Sequence, residues 1–431
     1  MKISAARAAA FDVLLRIETE KGFSSSLLPI YQDSLSIADS ALCHALTLGT
    51  LRTQIYLDRL VDHLSGNKKL DITVRLALRI GLYQLLYLDK VPAYSAINES
   101  VLLVQRAKKT SAKGFVNAIL RRVTREKIDL DFFDEIDRIS VETSHPRWLV
   151  EKWISEFGQS ETEIIGRANN DIPQTAFRLI NSGGETDDQV IQAFKRSEFI
   201  EGGFLAERID QNLRLLEKSG SIYFQDEASQ MVAQGVDVPK DGSFFDVCAA
   251  PGGKTGLIAR RYPDRSRLFV AGDIHWHRVN HLRENCTKQG GEFVNVIQYD
   301  AERSLPFADE TFDTVLVDAP CSGTGTIRHN PEIRYFLKQE DMIALPEKQL
   351  NILTNASKTV KRGGSLIYST CSLEREENES VAEVFLAENS SFQKLDPRVD
   401  KRFITSQGYA RTLPHRDKMD GFFIAKFFRD I

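Results

Sequence analysis

Cysteine is scarce: five residues in 431 (Cys43, Cys248, Cys286, Cys321 and Cys371), an odd number, widely spaced and with no Cys-x-x-Cys pair. That pattern excludes a disulfide framework and a structural zinc site, so reduced thiols are expected and no metal is. Long apolar runs are absent as well, since no stretch approaches the roughly 20 residues that span a bilayer. Met1-Lys-Ile-Ser-Ala-Ala-Arg7 lacks the form of a signal peptide, and a cytoplasmic protein is expected. With 42% hydrophobic and 27% charged residues the composition is globular, and 431 residues suffice for two to three domains that each bury a core.

Strand signals are missing from residues 1–127. Apolar residues recur there at helical spacing, in Ala9-Ala-Phe-Asp-Val-Leu-Leu15 and in Val74 to Tyr87. Val91-Pro92 breaks the second run, and Ser95 is expected to cap a helix starting near Ala96. Residues 1–130 hold 19 Lys/Arg against 12 Asp/Glu, which leaves 37 against 48 for residues 131–431. The basic excess concentrates in Arg106, Lys108, Lys109, Lys113, Arg121, Arg122, Arg125 and Lys127. Such a cluster either tracks RNA phosphates or is a solvated helix face. Through Val91-Pro-Ala-Tyr-Ser-Ala-Ile-Asn-Glu-Ser-Val101 and Phe115-Val-Asn-Ala-Ile-Leu-Arg-Arg122 this part resembles the NusB-like RNA-binding domain. The resemblance implies an all-helical, RNA-contacting module.

An acidic stretch, 128–145, carries the expected boundary, and the domains are read as 1–138 (NusB-like), 139–222 (linker and small α/β subdomain) and 223–431 (Rossmann-type). In the middle segment a helix is expected from Trp148 to Phe157, a strand over Gln174–Ile180, a turn at Asn181-Ser-Gly-Gly184, a helix near Asp187 to Lys195 and a strand over about Phe199 to Ile209. Gln225-Asp-Glu-Ala-Ser-Gln230 precedes an apolar helix, as either its cap or part of a site.

From Ser243 onward strands alternate with helices, which predicts a parallel sheet covered on both faces. Its first strand runs into Asp246-Val-Cys-Ala-Ala-Pro-Gly-Gly-Lys-Thr255, where backbone N–H groups and a helix N-terminus meet a strand end. A phosphate-cradling loop would need glycine at Cys248, and Pro251 offers no N–H. The better reading is a doubly wound sheet in which an acid roughly 20 residues past the glycines holds ribose hydroxyls. Asp273, ending Leu268-Phe-Val-Ala-Gly-Asp273, is that acid.

Three more strands end in polar groups: at Asp300, at Asp318 before Ala-Pro-Cys321-Ser-Gly, and at Thr370 before Cys371-Ser. Cys43, Cys286 and Cys248 read as packing or loop residues, whereas Cys321 and Cys371 follow strands directly, where ligand rather than core is expected. A reactive thiol needs a nearby cation, and Lys254 is the candidate.

Asp246 to Thr255, Asp318-Ala-Pro-Cys-Ser-Gly323, Arg328-His-Asn-Pro-Glu-Ile-Arg334, Tyr368-Ser-Thr-Cys-Ser372 and Asp420-Gly-Phe-Phe-Ile-Ala425 together resemble the RNA cytosine-5 methyltransferases, in particular the bacterial RsmB/Sun/Fmu type that acts on 16S ribosomal RNA. The resemblance implies an all-α domain in front of a Rossmann-type catalytic domain, with S-adenosylmethionine as cofactor. It places the methionine end on Cys248, Ala249, Ala250, Pro251, Gly252, Gly253 and Lys254, the ribose on Asp273 and the adenine edge on Asp300, with Asp318 closing the pocket. It also implies that Cys371 adds to carbon 6 of cytosine, Asp318 stabilises ring nitrogen 3, Cys321 assists release and Lys254 orients the ring. Arg328, His329 and Arg334 either hold RNA or form a structural loop. A transfer-RNA enzyme of the same chemistry and a non-catalytic assembly factor are the other readings, and the retention of Cys321, Cys371 and Asp318 together opposes the second.

Overall fold

Small residues let the first helices approach closely: Ala6, Ala10, Val13, Leu14 and Ile17 form one buried face of the helix Ala5–Glu20. The computed structural model describes residues 3–180, 191–263 and 266–431. Its contacts divide the chain into two compact units, Met1–Asp171 with Ile327–Leu337, and Ile172–Thr326 with Lys338–Ile431.

The first unit is helical among its described residues, as expected, and its helices include Ile37–Arg52, Gln54–Ser65, Ile72–Tyr87, Ala93–Arg106, Lys113–Val123, Glu135–Thr143, Arg147–Phe157 and Gln159–Ala168. Contacts thus assign residues 139–171 to the helical unit, along with a piece of chain from between the strands of the second unit. The helix expected to start near Ala96 with Ser95 as its cap begins instead at Ala93, after Pro92, whose carbonyl accepts from Ser95 N–H (2.9 Å) and Ala96 N–H (3.1 Å). Pro92 is itself the extended N-cap residue, so Ser95 lies inside the first turn and its Oγ reaches Glu99 at 3.4 Å rather than capping. Inside the unit, Arg79 is buried between Glu18 and Asp58, and Arg75 pairs with Asp58 and Asp62.

The second unit holds two sheets. A four-stranded antiparallel sheet is built from β1 (Thr175–Leu179), β2 (Lys195–Arg196), β3 (Gly203–Ala206) and β4 (Ile222–Phe224), in the order β2-β3-β1-β4. The turn expected at 181–184 and most of the helix expected near 187–195 lie outside the described residues. Of the strand expected over 199–209 only β3 forms, because Gly202 (φ 68°) turns the chain just before it.

The larger sheet contains β5 (Phe244–Asp246), β6 (Phe269–Asp273), β7 (Asn295–Gln298), β8 (Phe312–Asp318), β9 (Val360–Thr370), β10 (Phe392–Leu395), β11 (Ala410–Thr412) and β12 (Phe422–Arg429). The order is β10-β12-β9-β8-β5-β6-β7, with β11 on β12. Strands β5 to β9 are parallel, and β12 runs antiparallel to β9. Successive residues point to opposite faces, so Phe244 packs with Phe269, Leu316 and Ile367 in one layer, and Phe245 with Phe312, Val315 and Leu366 in the other. From β5 the chain moves outward to β6 and β7, then returns to add β8 on the other side. That reversal opens a crevice at the carboxyl ends of β5 and β8, where an open α/β sheet binds its ligand. Among the described residues no helix is long and apolar enough to cross a membrane.

Candidate active site

Asp246 ends β5, and the chain turns through Val247–Gly252 into the helix Gly253–Arg261. Gly252 sits at φ 102°, and a Cβ there would lie 2.9 Å from Leu282 Cδ1 and 3.3 Å from the Leu282 carbonyl, so only glycine fits this turn. The loop is held from outside: Tyr299 O–H donates to the Val247 carbonyl (2.6 Å), Arg278 to that of Ala250 (3.0 Å) and Asn285 to that of Pro251 (2.7 Å). At the end of β6 the buried Asp273 carboxylate lies 3.3 Å from Arg278. Asp300, just past β7, pairs with Arg303 at 3.2 Å. One cavity is lined by Cys248, Asp273, Asp300, Asp318, Cys321 and Cys371, so the strand-end groups named from the sequence converge. A second cavity shares Cys248, Ala250 and Asp318 and adds Lys254, Tyr223, Gln225 and Asp226. Asp226 does cap the helix Glu227–Gly235, accepting from Ala228 N–H at 2.9 Å, while lining this cavity too.

Parallel pairing of β8 with β9 sets Asp318 opposite Ser369, and the loops that leave those two ends therefore run side by side. Cys321 Sγ lies 3.3 Å from Cys371 Sγ and accepts from the Cys371 N–H at 3.3 Å. The hydrogen bond with Cys371, and then burial, hold the Cys321 thiol well above the ordinary thiol range. Burial also pushes up Cys248, and Cys43 and Cys286 to about 11 and about 12. Lys254, from the first turn after the glycines, places Nζ 2.7 Å from Asp318 Oδ2 and 5.0 Å from the centre of the Phe422 ring. Burial would favour neutral lysine, but the Asp318 carboxylate outweighs it and keeps the ammonium charged. Ser369 Oγ donates to Asp318 Oδ1 at 2.7 Å, which fixes the carboxylate plane.

The sequence reading missed Ser369, Phe422 and Tyr223 as site residues. The first two lie inside motifs already singled out, and position within those motifs was the available signal. Arg334 belongs elsewhere. It is fully buried in the helical unit, donating to the carbonyls of Thr143 and Ser144 (both 3.1 Å) and to Asn170 Oδ1 (2.9 Å), while the Arg328 carbonyl accepts from Arg52 (2.8 Å). For Arg334 the structural reading holds.

A family model described as 16S rRNA methyltransferase RsmB/F matches residues 234–428, and one of the NusB family matches residues 4–125. The probable ribosomal RNA small subunit methyltransferase B of Bacillus subtilis is 33% identical over 446 residues, covering 98% of this chain and 98% of the relative. The chain belongs to the RsmB/F methyltransferase family. The ribosomal RNA small subunit methyltransferase B of Pseudomonas syringae pv. tomato, a further relative, is 35% identical over 401 residues, 90% of this chain and 88% of its own. The solved structure of PH0851 superposes with a TM-score of 0.83 at 23% identity, covering 99% of both chains, and shares the fold. The RsmB/F enzymes are S-adenosylmethionine-dependent methyltransferases, and this crevice fits that cofactor. The buried Asp273 and half-buried Asp300 carboxylates suit ribose and adenine donors, and Cys248, Ala250, Pro251 and Gly253 of the loop line the two cavities.

Proposed function

We propose that this chain methylates carbon 5 of a cytosine in 16S ribosomal RNA through a covalent adduct with Cys371. The observation that carries the reading is the pair of thiols 3.3 Å apart at the carboxyl edge of the sheet, beside the Lys254–Asp318 pair. Carbon 5 of cytosine is a weak nucleophile until the ring has been converted to an enamine. The Cys371 thiolate bonds to carbon 6, and the electron pair of the ring double bond moves toward nitrogen 3. Asp318 relays a proton from the Lys254 ammonium to nitrogen 3, which neutralises the charge that develops there and is returned when the ring double bond re-forms, and Lys254 holds the ring in register. Gly252, Gly253 and the loop from Cys248 would hold the methionine end of the cofactor, Asp273 the ribose and Asp300 the adenine edge. S-adenosylmethionine, when bound there, supplies an electrophilic methyl group.

Release follows from the coupling of the two thiols. The hydrogen bond with Cys371 and burial both hold Cys321 protonated. Once Cys371 is bonded to carbon that hydrogen bond is gone, and Cys321 ionises more readily. Its thiolate then takes the carbon 5 proton, the ring double bond re-forms, and the bond from carbon 6 to Cys371 breaks with its electrons returning to sulfur. The target base must be unpaired or flipped out for its face to meet a thiol.

The test is methylation of purified 16S ribosomal RNA and of transfer RNA with labelled S-adenosylmethionine, followed by nuclease digestion and bisulfite sequencing. The reading expects 5-methylcytidine at one position of 16S RNA. Label on transfer RNA would transfer the chemistry to the other substrate, and no label on either would favour a non-catalytic assembly factor.

A further inference from the structure

Glu374-Arg-Glu-Glu-Asn-Glu379 is an acidic run, yet Glu377 and Asn378 are both fully buried. Each brackets one of the two thiols. Glu377 Oε2 accepts from the Ser322 N–H (2.8 Å) and from Gln349 Nε2 (2.8 Å), and Gln349 Nε2 also reaches the Pro320 carbonyl (3.0 Å), so the residues on both sides of Cys321 are tied down. Glu377 Oε1 accepts from Ser372 Oγ (2.7 Å), which joins the same carboxylate to the loop of Cys371. Asn378 spans Cys371: Thr370 Oγ1 donates to its side-chain oxygen, and its Nδ2 donates to the Ser372 carbonyl at 2.9 Å. Tyr368 O–H, donating to the Glu377 backbone carbonyl at 2.6 Å, anchors the turn to β9.

We infer that Glu377 and Asn378 are positioning residues, whose side chains set the separation and direction of the Cys321 and Cys371 thiols. The assignment rests on the two-thiol chemistry proposed above. Neutral donors alone hold the Glu377 carboxylate in these contacts, an arrangement that costs more than apolar packing would. Burial raises its carboxyl pKa accordingly, and the same charge opposes a thiolate at Cys321. A carboxylate suits the place because one group accepts from two loops at once. Misplacement of a reacting group by about 1 Å costs on the order of 100-fold in rate.

The test compares the full-length wild type with Glu377→Gln, Ser372→Ala and the double variant. Single-turnover methyl transfer is expected to fall about 30-fold in Glu377→Gln and about 5-fold in Ser372→Ala, with KM for RNA and for S-adenosylmethionine within 3-fold and the melting temperature nearly unchanged. The double variant is expected to be no slower than Glu377→Gln, because both changes cut the same tie. A second readout needs no RNA: glutathione disulfide oxidises the two thiols to a Cys321–Cys371 disulfide, releasing two glutathione thiols, at a rate that reports their separation. Glu377→Gln is expected to slow it about 10-fold. Wild-type rates in both assays, or losses that multiply in the double variant, would overturn the inference. Should Glu377→Gln fail to fold, Ser372→Ala carries the decision, an unchanged kcat and oxidation rate overturning it. If wild type oxidises quickly and the variants slowly while no RNA is methylated, the positioning stands and the chemical reading falls.

Discussion

Two regions handle buried charge differently: opposite charges surround Arg79 in the helical unit, whereas neutral donors alone hold Asp246 and Glu377 at the thiol edge of the sheet, beside the Lys254–Asp318 pair. In the helical unit Arg79 lies between Glu18 and Asp58, Arg75 between Asp58 and Asp62, and Arg138 among Glu135, Glu142 and Glu163, while Arg334 rests on carbonyls and an amide. At the thiol edge of the sheet, by contrast, Asp246 accepts from the Thr255 hydroxyl (2.7 Å) and Glu377 from serine and glutamine donors. Matched charges hold a structure together and leave its groups in their ordinary ionic states. Burial without a cation pushes Asp246 and Glu377 toward the protonated form despite their neutral donors, and they stand next to the groups that react.

The sharpest way to break this comparison is the pH dependence of stability. Burial raises the Asp246 pKa from 3.8 to about 7. The folded protein therefore keeps a proton that the unfolded chain releases near pH 4, and stability falls as pH rises from about 4 to about 7. The loss approaches the order of 4 kcal/mol from this group alone. Denaturant unfolding across that range should show the fall, and Asp246→Asn should flatten it. In the helical unit, Arg79→Met should cost about 3 kcal/mol, since it strands the partly buried Glu18 and Asp58, and this loss should be read by the same unfolding assay.

The smallest effect concerns the basic stretch. Arg106 pairs with Asp12, Lys109 with Asp71 and Arg122 with Glu126, so much of the charge seen in sequence serves the unit itself. Arg121 and Arg125 are exposed and make no ion pair among the described residues. Replacing both with Glu should weaken RNA binding several-fold and flatten its salt dependence by about one unit of slope for each phosphate left without a cation, as measured by filter binding at a series of salt concentrations.

The same contrast explains what was legible in the sequence. Asp273, Asp318, Cys321, Cys371 and Lys254 stand directly after apolar strands or a glycine turn, and strand–helix alternation sends every such position to one edge. The helical fold of the first unit was legible from apolar spacing for the same local reason. Ion pairing was not, because Arg106 and Asp12 are 94 residues apart. Nor was the seating of Arg334, whose partners lie 164 to 282 residues away. Glu377 was hidden differently, since an acidic run looks solvated until the loops that cover it are in place.

The most direct test of the central claim is a denaturing gel of 16S ribosomal RNA incubated with labelled S-adenosylmethionine and wild type, Cys371→Ala or Cys321→Ala. The account predicts methyl transfer by wild type, none by Cys371→Ala, and a denaturant-resistant protein–RNA band with Cys321→Ala, because attack proceeds and release does not. Normal methylation by Cys371→Ala would contradict it.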